Sequence, residues 1–124
     1  MKKIISHVCM PMLIVLFTTM AGMAQQSAPA TQKEMKTYVI ERNIPGAGQF
    51  TAEKLKDISK TSCSVLKDMG PGIQWVQSYV TDNKIFCVYK AENEDLLREH
   101  AKKGGFPITN IYEVSNVISP ATAN

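Results

Sequence analysis

The chain has 124 residues, 44% of them hydrophobic, with 14 Lys and Arg against 11 Asp and Glu and a net charge of +3 at pH 7. Two of those lysines, Lys2 and Lys3, belong to an apolar leader; without it 12 basic residues face 11 acidic ones, a balance of +1. That near-neutrality excludes a charge-driven case for nucleic-acid binding. The length allows one small domain, whose core is marginal without a partner subunit or a crosslink.

The chain opens on Lys2 and Lys3, runs apolar from Ile4 to Met20, and reaches the small residues of Gly22-Met23-Ala24. This order predicts a secretory signal over residues 1–24, cut after Ala24, and an exported protein of the periplasm or extracellular space. Pro11 and His7 interrupt the apolar run, whereas a spanning helix needs about 20 clean apolar residues, so no membrane association is expected after cleavage. Residues 25–35, rich in Gln, Ala, Ser, Thr and Pro, read as a flexible spacer, and residues 36–120 as a single folded domain. Cys9 and His7 leave with the leader, so the mature chain keeps Cys63, Cys87 and His100.

KTYVIER, from Lys36 to Arg42, is rich in β-branched and aromatic residues and predicts a strand. After the Pro45-Gly46 break, Thr51 is placed to cap a helix running to about Met69. Leu55, Ile58, Ser62, Val65, Leu66 and Met69 share one of its faces. Gly70-Pro71-Gly72 ends that helix. Ile73 to Val80 and Lys84 to Lys90 predict a hairpin turning at Asp82-Asn83. Its register sets Val80 against Ile85, Ser78 against Cys87 and Val76 against Tyr89, and puts Trp75, Tyr79 and Phe86 on the opposite side. Glu92 to Lys103 predicts a second helix, acidic at its start and basic at its end, with Leu96, Leu97, His100 and Ala101 on one side. Gly104-Gly105 and Pro107 stop it, and Ile108 to Ile118 supplies a last strand. The residues from Ser119 onward read as a loose tail.

The order strand, helix, strand, strand, helix, strand predicts an α+β domain: a ferredoxin-like βαββαβ sandwich with two helices on one face of an antiparallel sheet. Both faces of the hairpin are apolar, yet the helices cover only one. A second copy of the chain is the simplest cover for the other, so a face-to-face homodimer is expected.

The stretches KTYVIERNIPGAG, IQWVQSYVTDNKIFCVYKAENEDLLREHAKKGGFP and EVSNVISP resemble the small bacterial ferredoxin-like domains of unknown function that include nickel-binding members. Most specific are Ser78-Tyr79, Asp82, Lys84, Cys87 and the run Arg98-Glu99-His100-Ala101 with Gly105-Phe106-Pro107. The resemblance implies a ferredoxin-like homodimer and, for some relatives, nickel or another divalent metal held for sequestration. The candidate ligands here are His100, Cys87 and Glu99, since imidazole, thiolate and carboxylate all suit such a metal. Each also has a plainer role. His100 fits a hydrogen-bonded core histidine, Cys87 a small buried hydrophobe, and Glu99 a solvated helix face. A Cys63–Cys87 disulfide is permitted in an oxidising compartment, but the flank position of Cys63 argues against the Cα separation of under about 7 Å that it needs. Two other classes stay open: a dimeric ferredoxin-like enzyme, of oxygenase or isomerase type, with a small-molecule pocket, and a purely structural or interaction module.

Overall fold

A computed structural model of the chain describes residues 33–124; the leader and the spacer up to residue 32 lie outside the described residues. The elements are β1 (Lys36–Asn43), α1 (Ala52–Met69), β2 (Ile73–Val80), β3 (Lys84–Ala91), α2 (Glu94–Gly104) and β4 (Asn110–Glu113). Short 3-10 turns occupy Ala47–Gln49 and Pro120–Ala123. The sheet order is β2-β3-β1-β4, and every neighbouring pair is antiparallel. Each helix therefore joins two strands that are separated in the sheet by a third. This is the ferredoxin-like α+β arrangement that the element order predicts.

Strand alternation selects the core. Tyr38, Ile40 and Arg42 point toward the helices and are buried, opposite Tyr89, Cys87 and Ile85 of β3. Ala47, Ile73, Ala91 and Leu97 complete the hydrophobic cluster. The helix ends follow local chemistry. The Thr51 side chain accepts from the Lys54 amide at 3.2 Å, and Gly70, at φ 82°, closes α1. The second helix begins two residues later than Glu92, because the Asn93 side chain accepts from the Leu96 amide at 3.1 Å and fixes the cap there. Gly105, at φ 70°, ends it with the left-handed turn that glycine adopts without strain.

Three expectations need correcting. The hairpin holds its register at Val80–Ile85 and Ser78–Cys87, but it shifts between Trp75 and Gln77, so that Trp75, not Val76, faces Tyr89. Val76 is the extra residue of a β-bulge, and one extra residue turns every side chain beyond it to the other face. Trp75 consequently leaves the open face for the helix side, where its indole N–H donates to Ser78 Oγ at 3.0 Å. The last strand is also shorter than Ile108 to Ile118: it pairs only over Asn110–Glu113, and Val117 and Ile118 are exposed. Finally, the tail is not featureless, since Ser119 caps the turn at Pro120–Ala123 through its side chain. Cys63 is exposed and Cys87 buried, both as free thiols.

Candidate functional site

Four elements send polar side chains into one layer between the sheet and the helices. Arg42 comes from β1, Ser62 from α1, Cys87 from β3 and His100 from α2; all are buried. Arg42 Nε donates to Cys87 Sγ at 3.4 Å and Nη1 donates to the Pro107 carbonyl at 2.6 Å. Its guanidinium also lies 5.5 Å from the centre of the Phe106 ring. Its Nη2 has no partner, and none of the ion pairs among the described residues includes it. A buried cation without a carboxylate is costly in a protein interior.

His100 Nε2 stands 3.1 Å from Ser62 Oγ. The ring is wholly buried between Tyr89, with centroids 5.3 Å apart, and Phe106, stacked at 5.4 Å. Gly104 makes that stack possible, because a Cβ there would run into the Phe106 ring. Burial first, and then the nearby charge of Arg42, lowers the His100 pKa from 6.5 to about 4. The imidazole is therefore neutral at pH 7.

Above this layer lies a cleft of about 460 Å³. Leu55 and Ile58 of α1 form one wall; Trp75, Val80 and Ile85 form the other, with Ser62, Ser78, Cys87 and Tyr89 also on its lining. Leu55 and Ile58 sit on the core stripe of α1 yet stay only half-buried, as residues facing a gap must. The bulge contributes by turning Trp75 into the same space. Among the described residues, Arg42 is the only charged side chain on the lining. The volume falls within the range of small-molecule sites, about 300–1,000 Å³.

The three residues expected to hold a metal are placed differently from one another. Cys87 and His100 both lie in the buried polar layer, with Arg42 donating to the thiol. Glu99 projects from the outer side of α2 and pairs with Lys103 at 2.8 Å, half-exposed. Among the described residues, no group of three or more His, Cys, Asp or Glu side chains is placed to hold a metal ion.

Two charged residues escaped the sequence reading. Arg42 had a signal: it continues the Tyr38, Ile40 alternation inward. Glu41 lies on the opposite, open face, 8% exposed. It accepts from Lys84 Nζ at 2.5 Å, Asn110 Nδ2 at 3.0 Å and Tyr112 OH at 3.1 Å. Those bonds, Lys84 first, lower its pKa from 4.5 to about 2. Around it on that face stand Val39, Phe86 and Val88, half-buried, and Tyr79 and Tyr112, exposed.

A search of curated proteins finds no match. Among solved structures the chain is similar to SCO4226 from Streptomyces coelicolor A3(2), with a TM-score of 0.57 and 15% identity over 66% of this chain and 99% of that one. At that identity the likeness is one of fold. The family described as nickel responsive protein SCO4226-like matches residues 38–114, a span that runs from β1 through β4 and takes in Arg42, Ser62, Cys87 and His100. On that match, the chain belongs to the SCO4226-like family of nickel-responsive proteins.

Proposed function

We propose that this protein is an exported, homodimeric binding protein whose ligand seat is the cleft between α1 and the sheet, serving a nickel-linked role of the kind its family's description names. The observation that carries the binding role is the cleft itself, apolar on both walls and ending on buried polar groups. Support for export is the three-part order of residues 1–24. Support for the dimer is the helix-free sheet face with Tyr79, Phe86 and Tyr112, an apolar surface suited to a second copy.

Binding is favoured over catalysis by the state of His100. Its 3.1 Å approach to Ser62 resembles a nucleophile and its base. However, Nδ1 has no orienting partner, and a base titrating at about 4 is poorly matched to activating a hydroxyl at neutral pH. The apolar dye 8-anilinonaphthalene-1-sulfonate tests the seat. One dye per mature chain is expected, and Ile58→Trp, which fills the cleft from α1, should weaken its binding at least tenfold. Equal binding by both proteins would refute the cleft as the seat.

Direct nickel sequestration is a second reading, favoured by the family's description. The buried layer does not fit the ion: Arg42 places a fixed positive charge on the Cys87 thiol, and His100 Nε2 is engaged by Ser62. The exposed carboxylates Glu94 and Glu99 are already paired, with Arg98 and Lys103. Sequestration in this protein therefore calls for ligands from two copies. Phe86→Glu, which puts a charge on the open face, should halve the mass measured by light scattering. If nickel is shared between copies, uptake measured by calorimetry should disappear with the dimer. Nickel uptake by the monomeric variant at the wild-type level would contradict shared ligation, and an unchanged mass would contradict this dimer face.

A further inference from the structure

We infer that the cleft takes a small apolar carboxylic acid, its carboxylate drawn to Arg42 and its hydrocarbon body held between Leu55 and Ile58 on one side and Trp75 and Ile85 on the other. The inference rests on the cleft being the ligand seat and adds the chemical class of the ligand.

Three observations converge on it. The lining is mostly apolar, its neutral polar members are Ser59, Ser62, Gln77 and Ser78, and the one charge among the described residues there is positive. That charge is 3% exposed and has no carboxylate among the described residues, and its Nη2 donates to nothing. A buried guanidinium left with an unused N–H is complementary to an anion, which it binds through short, charge-assisted hydrogen bonds. Cys87 and the Pro107 carbonyl occupy Nε and Nη1 and hold the group in place, so little side-chain entropy remains to be lost when an anion arrives.

A neutral donor shares the lining. Ser78 Oγ receives the Trp75 indole N–H, so its own hydroxyl proton is free to donate, and Ser78 lines the same cleft. Among the described residues, no Asp or Glu lines the cleft to repel an anion. An amine would meet the positive charge of Arg42, and a neutral alcohol would leave it as unpaired as before. The walls accept a chain of several methylenes, each contributing through burial, while the carboxylate sets the orientation.

Trp75 is the only tryptophan of the chain and lies on the cleft wall, so its fluorescence reports occupancy directly. Mature wild-type protein, Arg42→Met and Ile58→Trp should each be titrated with octanoate, octanol and octylammonium, with calorimetry as the second readout because Ile58→Trp adds a fluorophore. Octanoate is expected to bind wild type at least tenfold more tightly than octanol, and octylammonium more weakly than either. Arg42→Met should bring octanoate down to the octanol level while leaving octanol unchanged, and Ile58→Trp should weaken both. Equal binding of octanoate and octanol by wild type, or an octanoate advantage that survives Arg42→Met, would overturn the carboxylate while leaving the cleft as a seat. Octanoate and octanol binding that Ile58→Trp does not alter would overturn the seat itself, and with it this inference. Circular dichroism of each variant separates loss of binding from loss of fold.

Discussion

Between pH 6.5 and 4, the wild-type protein is expected to lose about 3 kcal/mol of folding stability that a His100→Gln variant does not lose. The origin is linkage. In the unfolded chain His100 takes a proton near its ordinary pKa of 6.5, whereas in the folded state burial and Arg42 hold it at about 4. Within that window the unfolded state binds more protons, so stability falls as pH falls. Above 6.5 both states are neutral and the contribution is fully present; below 4 both are charged and the loss is complete. A separation of this size corresponds to about 3 kcal/mol, at about 1.4 kcal/mol for each pKa unit. Urea unfolding at steps across pH 7 to 4 measures it. The comparison is of slopes, so any constant cost of replacing the ring, which stacks on Phe106 and meets Ser62, cancels. Parallel curves for the two proteins would show that His100 titrates normally in the fold, in surroundings open to water.

Arg42→Met is expected to leave the protein more stable, by about 1–3 kcal/mol at pH 7. Removing the guanidinium gives up the bond to the Pro107 carbonyl, worth about 1.5–3 kcal/mol for a charged donor, though that exposed loop can turn the carbonyl to water and recover part of it. It also gives up the desolvated contact over Phe106, worth about 2 kcal/mol. Against these stands the penalty of holding an ion out of water with no opposite charge beside it, several kcal/mol even after relaxation. Methionine has a similar length and can pack beside the Cys87 thiol and the Phe106 ring that Arg42 now touches. Thermal or urea unfolding decides the matter. A loss of more than 1 kcal/mol would mean that Arg42 holds the fold together. A gain would mean that the charge is retained at the expense of stability, as a binding group is.

The parts of this molecule legible in the sequence are those that depend on neighbours along the chain. Gly70-Pro71-Gly72 and Gly104-Gly105 punctuate the two helices, and the β-branched run of KTYVIER marks β1. The pairing of Val80 with Ile85 follows from the turn at Asp82-Asn83. The bulge at Val76 was not legible, because IQWVQSYV contains no glycine or proline to announce an extra residue, and simple alternation carries Trp75 to the wrong face. The site divides in the same way. Cys87 and His100 stood out as isolated reactive types. Arg42 continues the inward alternation of Tyr38 and Ile40, but its place beside the thiol depends on the pairing of β1 with β3. The cleft depends on the separation of α1 from the sheet, a tertiary quantity for which a stripe of Leu55, Ile58 and Ser62 gives no measure.

These results place two apolar surfaces on one small domain: the cleft, and the sheet face carrying Tyr79, Phe86 and Tyr112. An apolar ligand could choose either, so the most direct test is a map of amide and indole N–H shifts while the protein is titrated with 8-anilinonaphthalene-1-sulfonate. The largest shifts are expected at Leu55, Ile58, Ile85 and the Trp75 indole, with the centre of the open face undisturbed. Shifts centred on Tyr79, Phe86 and Tyr112, with the Trp75 indole unmoved, would contradict it.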